Sequence, residues 1–187
     1  MNDPVFFGYG SLVNRATHGY PDARPARLEG WRRVWRHTDV SDKAFLTAVP
    51  AAGAAIDGLV ARVPNGDWAA LDLRESGYDR VQSGGISGAH GPLAAVAVYS
   101  IPHDKHGAPP SALPILLSYV DVVVQGFLRE FGTDGVARFF ATTDGWDAPV
   151  QNDRAAPGYP RHQTLSPAET ALVDRHLSAV GARVIPR

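Results

Sequence analysis

Cysteine is missing from this chain, and with it go a disulfide framework, a thiolate nucleophile and any sulfur-ligated zinc site. Charge of one sign is also missing: 18 Lys and Arg against 19 Asp and Glu leave a formal net charge of -1. No basic run forms a tail, so nucleic acid is not expected as a partner. No apolar stretch is long enough to span a bilayer, and the opening "MNDPVFF" lacks the positive and apolar regions of a signal peptide. These absences predict a cytoplasmic protein without a membrane partner. What remains is ordinary globular material. A hydrophobic share of 44% and a charged share of 20% are enough for a packed core, and 187 residues predict one domain, 1–187, with a loop and helix over about 144–187 as a C-terminal extension.

Strand signals dominate the first half. Val5 to Gly8 is a short apolar run cut off by glycine. "ARLEGWRRVWRH", "AFLTAVP" and "AAIDGLVARV" follow, each rich in β-branched and aromatic residues and punctuated by Pro or Gly. In the first of these, Arg32, Arg33 and Arg36 interleave with Trp31, Val34 and Trp35, which reads as a strand with a wet face. The period then changes. In "PNGDWAALDLRESG", Trp68, Leu71 and Glu75 fall at i, i+3 and i+7 on one helical face, and Gly77 is placed as a C-cap. "YDRV" resumes the sheet, "SGGISGAHG" reads as a mobile loop, and "PLAAVAVYSI" as a buried strand.

The second half is helical. "SALPILLSYVDVVVQGFLREFG" carries Leu116, Val120, Val123, Phe127 and Phe131 at helical spacing with Gly132 as the stop. Thr133 and Asp134 open a shorter helix holding Val136, Phe139 and Phe140. Ser166, Pro167 and Glu169 form a capping box that starts the last helix. "DGWDAPVQNDRAAPGYPRH" reads as an ordered surface loop. Strands first and helices after predict an α+β domain.

Glu75 is the leading candidate for chemistry. Its helical face should point inward, and the negative end of a helix dipole disfavours a carboxylate in the last turn. Both effects raise a carboxyl pKa and suit a general base and acid near neutrality. The plain alternative is an ion pair with Arg74 or Arg80. A complement lies in "FFGYGSL", where Gly8 and Gly10 let backbone N–H groups of Gly10, Ser11 and Leu12 face outward as an anion-binding nest. It is not a P-loop, since no Gly-Lys-Ser/Thr follows, nor a nucleophile elbow, since Ser11 has glycine only before it. Asp153, Arg154 and Arg161 form either a carboxylate-binding fork or a salt-bridged loop anchor. His103, Asp104 and His106 are close together but in a surface segment without a fixed third ligand, so no metal is expected.

The segments "FGYGSL" at 7–12, "ARLEGWRRVW" at 26–35, "LTAVPAAGAAIDGLVARV" at 46–63, "LDLRESGYDR" at 71–80 and "SYVDVVVQG" at 118–126 together resemble the γ-glutamylcyclotransferase-like superfamily, in its AIG2-like and ChaC-related bacterial branch. The resemblance implies a small, partly closed mixed β-barrel flanked by α-helices, with 46–63 as a hairpin and neither metal nor organic cofactor. It implies release of 5-oxoproline from a γ-glutamyl amide or peptide, by attack of the substrate's own α-amine with Glu75 as acid and base. It further implies that Tyr9, Gly10, Ser11, Leu12 and Tyr119 bind the substrate. The partner is then a small γ-glutamyl molecule, and the protein a monomer or homodimer. Two other readings stay open: a non-catalytic γ-glutamyl-binding module of the same fold, and a serine-dependent amidase acting through Ser11.

Overall fold

A computed structural model describes residues 3–88, 95–109 and 111–187. The first strand, β1 (Val5–Gly8), is apolar at successive positions because both of its faces are covered. Phe7 enters the main core, whereas Phe6 enters a second cluster with Ala61, Leu71, Ala97 and Tyr99. Beside it run two long strands, β2 (Arg24–Arg36) and β3 (Phe45–Arg62). Their antiparallel register shifts at Gly30: Glu29 opposes Ala55 and Trp31 opposes Pro50, so residues 51–54 bulge outward. The expected hairpin over 46–63 is therefore one strand. Its Pro and Gly punctuate a bulge rather than a turn, and the hairpin partner of β3 is β2.

A one-and-a-half-turn helix, α1 (Ala69–Arg74), leads to β4 (Asp79–Ser83) and β5 (Ile86–Gly88). The latter corrects the loop reading of "SGGISGAHG": Ile86 is buried and pairs with Leu28 of β2, while 89–91 lie outside the described residues. Then come β6 (Val96–Ser100), the two-residue β7 (Ile115–Leu116) and the long helix α2 (Leu117–Ala141). After them follow β8 (Thr143–Asp144), β9 (Val150–Asn152), α3 (Pro167–Ala179) and β10 (Val184–Pro186). The main sheet runs β4-β6-β1-β3-β2-β5, with β8 added to β2, and curls into a half-barrel against the helices. A small parallel sheet, β10-β9-β7, sits beside it. No helix among the described residues is long and apolar enough to cross a membrane.

From Leu117 to Phe127, α2 is buried on nearly every side, so its valine run needs no amphipathic stripe. It starts six residues later than the Ser111 expected, because Ile115 and Leu116 are taken up by β7. At Gly132 the backbone leaves the helical region with φ 66° and ψ -169°, conformations closed to residues with a Cβ. The expected break is thus present, and Val136, Phe139 and Phe140 are buried beyond it. The capping box is formed in both directions: Ser166 Oγ accepts from Glu169 N, and Glu169 Oε2 from Ser166 N. The segment 144–162 is more than a surface loop, since Trp146, Ala148 and Val150 join the main core and 150–152 is a strand.

Arg33 overturns the wet-face reading of β2. Alternation places it with Trp31 and Trp35, and it is 0% exposed. Its Nε donates to the Tyr9 carbonyl at 2.8 Å, Nη1 to Thr142 Oγ1 at 2.8 Å, and Nη2 to the Asp57 carbonyl. The guanidinium lies 4.9 Å from the Phe127 ring and 5.3 Å from Phe139. Burial lowers its pKa to about 9, so it stays cationic at neutral pH. Replacing it strands two buried carbonyls and the half-buried Thr142 hydroxyl at once. Arg33→Met should therefore cost about 3–5 kcal/mol in urea unfolding; a loss below about 1 kcal/mol would show that those acceptors are satisfied otherwise.

Candidate active site

The glycine turn begins where β1 stops. Tyr9 turns its ring into the core, donating its hydroxyl to the Tyr99 carbonyl, and its own carbonyl is taken by Arg33. At Gly10 the chain adopts φ -122° and ψ -127°, then closes a 3₁₀ turn over Ser11–Val13 through Val13 N to Gly10 O at 3.0 Å. The N–H groups of Gly10, Ser11 and Leu12 open this turn and have no carbonyl acceptor within it. A Cβ at position 10 would stand 2.6 Å from the Tyr119 hydroxyl, so only glycine lets α2 come this close. Asn14 fastens the exit of the turn to α2, donating to Val122 O and to Gln125 Oε1, each at 3.0 Å.

Glu75 arrives from the other side. Leu71, fully buried against the second apolar cluster, anchors α1. Glu75 is the residue after the helix, its N–H bonded to Leu71 O at 2.9 Å. Trp68 caps the other end, so the helix spans only the residues between them. Gly77 is not among the residues with positive φ and is no left-handed cap; the turn instead closes through Tyr78 N to Glu75 O at 2.8 Å. The Glu75 side chain is 15% exposed, and its Oε1 lies 3.2 Å from Arg74 Nε. Burial raises its pKa above the ordinary carboxylate value, against the opposing charges of Arg74 and Arg161. Arg80, the other expected partner, instead covers the Trp68 ring.

Arg74 ties the two halves together. Besides Glu75 it donates to Thr17 O at 2.9 Å, Ser11 Oγ at 3.1 Å and Thr17 Oγ1 at 3.2 Å. The result is a recess of about 30 Å³, lined by Gly8 to Leu12, Glu75, Tyr78, Tyr99 and Tyr119. Outside it lies a cavity of about 190 Å³ that shares Ser11, Leu46, Glu75, Tyr78 and Tyr119 and adds Trp35, Lys43, Phe45, Tyr159 and Arg161. Burial pushes the hydroxyls of Tyr78 and Tyr119 well above the usual phenol value, so both stay protonated. Tyr78 spends its proton on Leu46 O at 2.8 Å.

Tyr9, Gly10, Ser11, Leu12, Glu75 and Tyr119 thus each line one of these two spaces, although Tyr9 offers no free hydroxyl. The Asp153, Arg154 and Arg161 trio divides. Asp153 is a buried anchor that accepts from Ser118 N, Ser118 Oγ and Gly158 N. Arg154 grips Asp121 and Asp174, and only Arg161 reaches the cavity. Sequence reasoning missed Arg74 as a clamp, Tyr78, and the wall formed by Tyr159. Among the described residues no cluster of three His, Cys, Asp or Glu side chains has a metal-binding arrangement. The His106 ring instead bonds the Gly77 carbonyl at 3.0 Å.

Residues 6–114 match the family described as gamma-glutamyl cyclotransferase, AIG2-like. No protein of curated function matches the chain. In fold it is similar to a gamma-glutamyl cyclotransferase at 15% identity, with a TM-score of 0.58 over 92% of this chain and 99% of that one. The uncharacterized protein loc79017 from Homo sapiens gives 15% identity and a TM-score of 0.60 over 93% and 99%. YkqA from Bacillus subtilis gives 17% identity and 0.57 over 78% of this chain and 57% of that one. These structural likenesses speak for the fold; the sequence match spans more than half the chain, including the glycine turn and Glu75. The chain belongs to the gamma-glutamyl cyclotransferase, AIG2-like family.

Proposed function

We propose that the protein releases 5-oxoproline from a γ-glutamyl amide or peptide, with Glu75 as its acid and base. The observation that carries this reading is one carboxyl, lifted in pKa by burial, lining both the recess of the glycine turn and the cavity outside it. The recess, at about 30 Å³, would take only one polar end of the glutamyl group, with the rest in the cavity outside; within the recess the N–H groups of the Gly10–Leu12 turn would meet its carboxylate or the oxyanion that forms. Tyr119 stands against the same turn as a protonated donor.

The reaction then needs little else. Glu75 takes a proton from the substrate's α-ammonium group, and the freed amine attacks the γ-carbonyl carbon. The tetrahedral intermediate collapses with cleavage of the old C–N bond; Glu75 returns that proton to the departing nitrogen and takes the second proton that the ring nitrogen sheds as it becomes an amide, which the released amine then accepts. No water is consumed, and atoms balance as 5-oxoproline plus free amine. Because the nucleophile belongs to the substrate, holding it folded beside Glu75 would supply much of the acceleration; well-placed internal nucleophiles reach effective molarities of about 10⁵–10⁸ M. A serine amidase fits less well. Ser11 Oγ accepts from Arg74, and among the described residues no histidine lines the recess or the cavity to act as its base.

Glu75→Gln should lower kcat for 5-oxoproline release by about 10²–10⁴-fold, while Ser11→Ala stays within about tenfold. Free glutamate as product, or a Glu75→Gln variant with full turnover, would move the reading to the amidase; tight binding of γ-glutamyl compounds without turnover by the unmodified protein would make it a binding module.

The pKa of Glu75 makes a second prediction. Folding favours its protonated form, a contribution that is full below the unfolded value of about 4.3 and lost as pH rises through the higher folded value. Above that range the ionised carboxylate costs stability yet is the form that acts as base. Glu75→Gln should therefore melt no lower than the unmodified protein at pH 7, with any gain gone below about pH 4, while kcat/KM of the unmodified enzyme climbs along a limb centred above the ordinary Glu value. A marked fall in melting temperature at pH 7 would make Glu75 a structural ion-pair partner.

A further inference from the structure

A glutamyl group with one end in the recess would still occupy the inner part of the cavity beside Ser11, Glu75 and Tyr119; the outer part, whose wall has a definite chemical character, is left for whatever the reaction releases. Three cations line it: Lys43, Arg74 and Arg161. The single acid there is Glu75. Arg74 is committed to Glu75, Ser11 and Thr17. Among the described residues Lys43 forms its one ion pair with its neighbour Asp42, whose side chain is 89% exposed, a pair largely screened by water. Arg161 pairs with no carboxylate among the described residues, and it lines the outer cavity without reaching the recess. Around these charges stand Trp35, Phe45, Leu116 and Tyr159, an apolar flank.

Arg161 is exposed, yet the segment that carries it is built into place. Asp153, 1% exposed, accepts from Ser118 N at 2.8 Å, Ser118 Oγ at 2.6 Å and Gly158 N at 2.7 Å. Ser118 Oγ in turn accepts from Tyr159 N at 3.2 Å. Arg154 holds Asp121 of α2 and Asp174 of α3. A tight turn, His162 N to Tyr159 O at 3.0 Å, then swings Arg161 to the rim. The Tyr159 ring meets Tyr119 edge-on, 5.0 Å between centroids. The whole strap lies beyond residue 114, outside the stretch that matches the family.

We infer that this strap is a selectivity wall for the departing amine. Arg161, seconded by Lys43, takes a carboxylate on the leaving group, and Trp35, Phe45 and Tyr159 take an apolar side chain beside it. The preferred leaving group is then an apolar α-amino acid, in preference to a simple amine or a second cationic group, which the same charges repel. This rests on the cyclotransferase reading, and the two are separable by experiment.

The test compares γ-glutamyl-L-phenylalanine, its C-terminal amide and γ-glutamyl-phenethylamine, which share the ring and differ in the carboxylate. The unmodified protein should favour the acid by about ten- to a hundredfold in kcat/KM for 5-oxoproline release, the usual worth of a charge-assisted contact. Arg161→Gln should bring the ratio of acid to amide to about one, whatever the loss of its charge beside Glu75 does to all three rates, and Arg161→Lys should restore part of the preference. Equal rates in the unmodified protein would overturn the inference. So would an Arg161→Gln variant that slows all three alike, since Arg161 would then serve the glutamyl end they share. If none of the three yields 5-oxoproline, the cyclotransferase reading falls. Calorimetric binding of the acid against the amide then decides the wall by itself: a preference erased by Arg161→Gln keeps it, and equal affinities remove it.

Discussion

A single guanidinium, buried where water cannot reach it, sets the geometry from which the site follows. Arg33 sits on β2 yet satisfies the carbonyl of Tyr9 at the end of β1, the carbonyl of Asp57 on β3 and the hydroxyl of Thr142 just past α2. A charge with no solvent must find partners or be lost, and these partners lie on three different elements. The cost of burying it is offset only when all of them are in register. The Tyr9 carbonyl is therefore held from behind, and the turn that follows it lines the recess.

The front of the site is held by comparable means. Asp153 does for the strap what Arg33 does for the turn, gathering three donors from Ser118 and Gly158 in a dry interior. Burial alone would raise its pKa, but those hydrogen bonds outweigh it and keep the carboxyl below its ordinary value. Since Ser118 directly precedes Tyr119, one carboxylate fixes both the strap and the tyrosine that touches Gly10. Arg74 closes the third side by joining α1 to the turn. A functional cavity is thus framed by buried polar groups, each of which specifies a partner, where apolar packing alone would tolerate a slip.

The local features of this fold were legible in the sequence because local chemistry decides them. The glycine cut after Phe7, the break at Gly132 and the reciprocal cap at Ser166 each need only a few neighbours. What stayed hidden depends on partners distant along the chain. Asp153 and Ser118 are 35 residues apart, and nothing in either stretch announces the other. Arg33 is a different case, since strand alternation already set it beside Trp31 and Trp35; the habit of reading arginine as wet outweighed the period. For Glu75, the inward face was readable but the dipole argument was not needed. With only six residues and Glu75 beyond its end, α1 has little dipole to offer, and burial is the leading cause of the shift.

The cavity is divided along the chain. The carboxyl and the glycine turn lie before residue 114, whereas Tyr119, Tyr159 and Arg161 come from the stretch after it. On the proposed reading, reactivity would be written in the first part of the polypeptide, and choice of partner would draw on both, with Trp35, Lys43 and Phe45 from the first and Tyr159 and Arg161 from the second. Exchanging the charges of the latter portion alone would then alter that choice while the carboxyl and the glycine turn stay as they are.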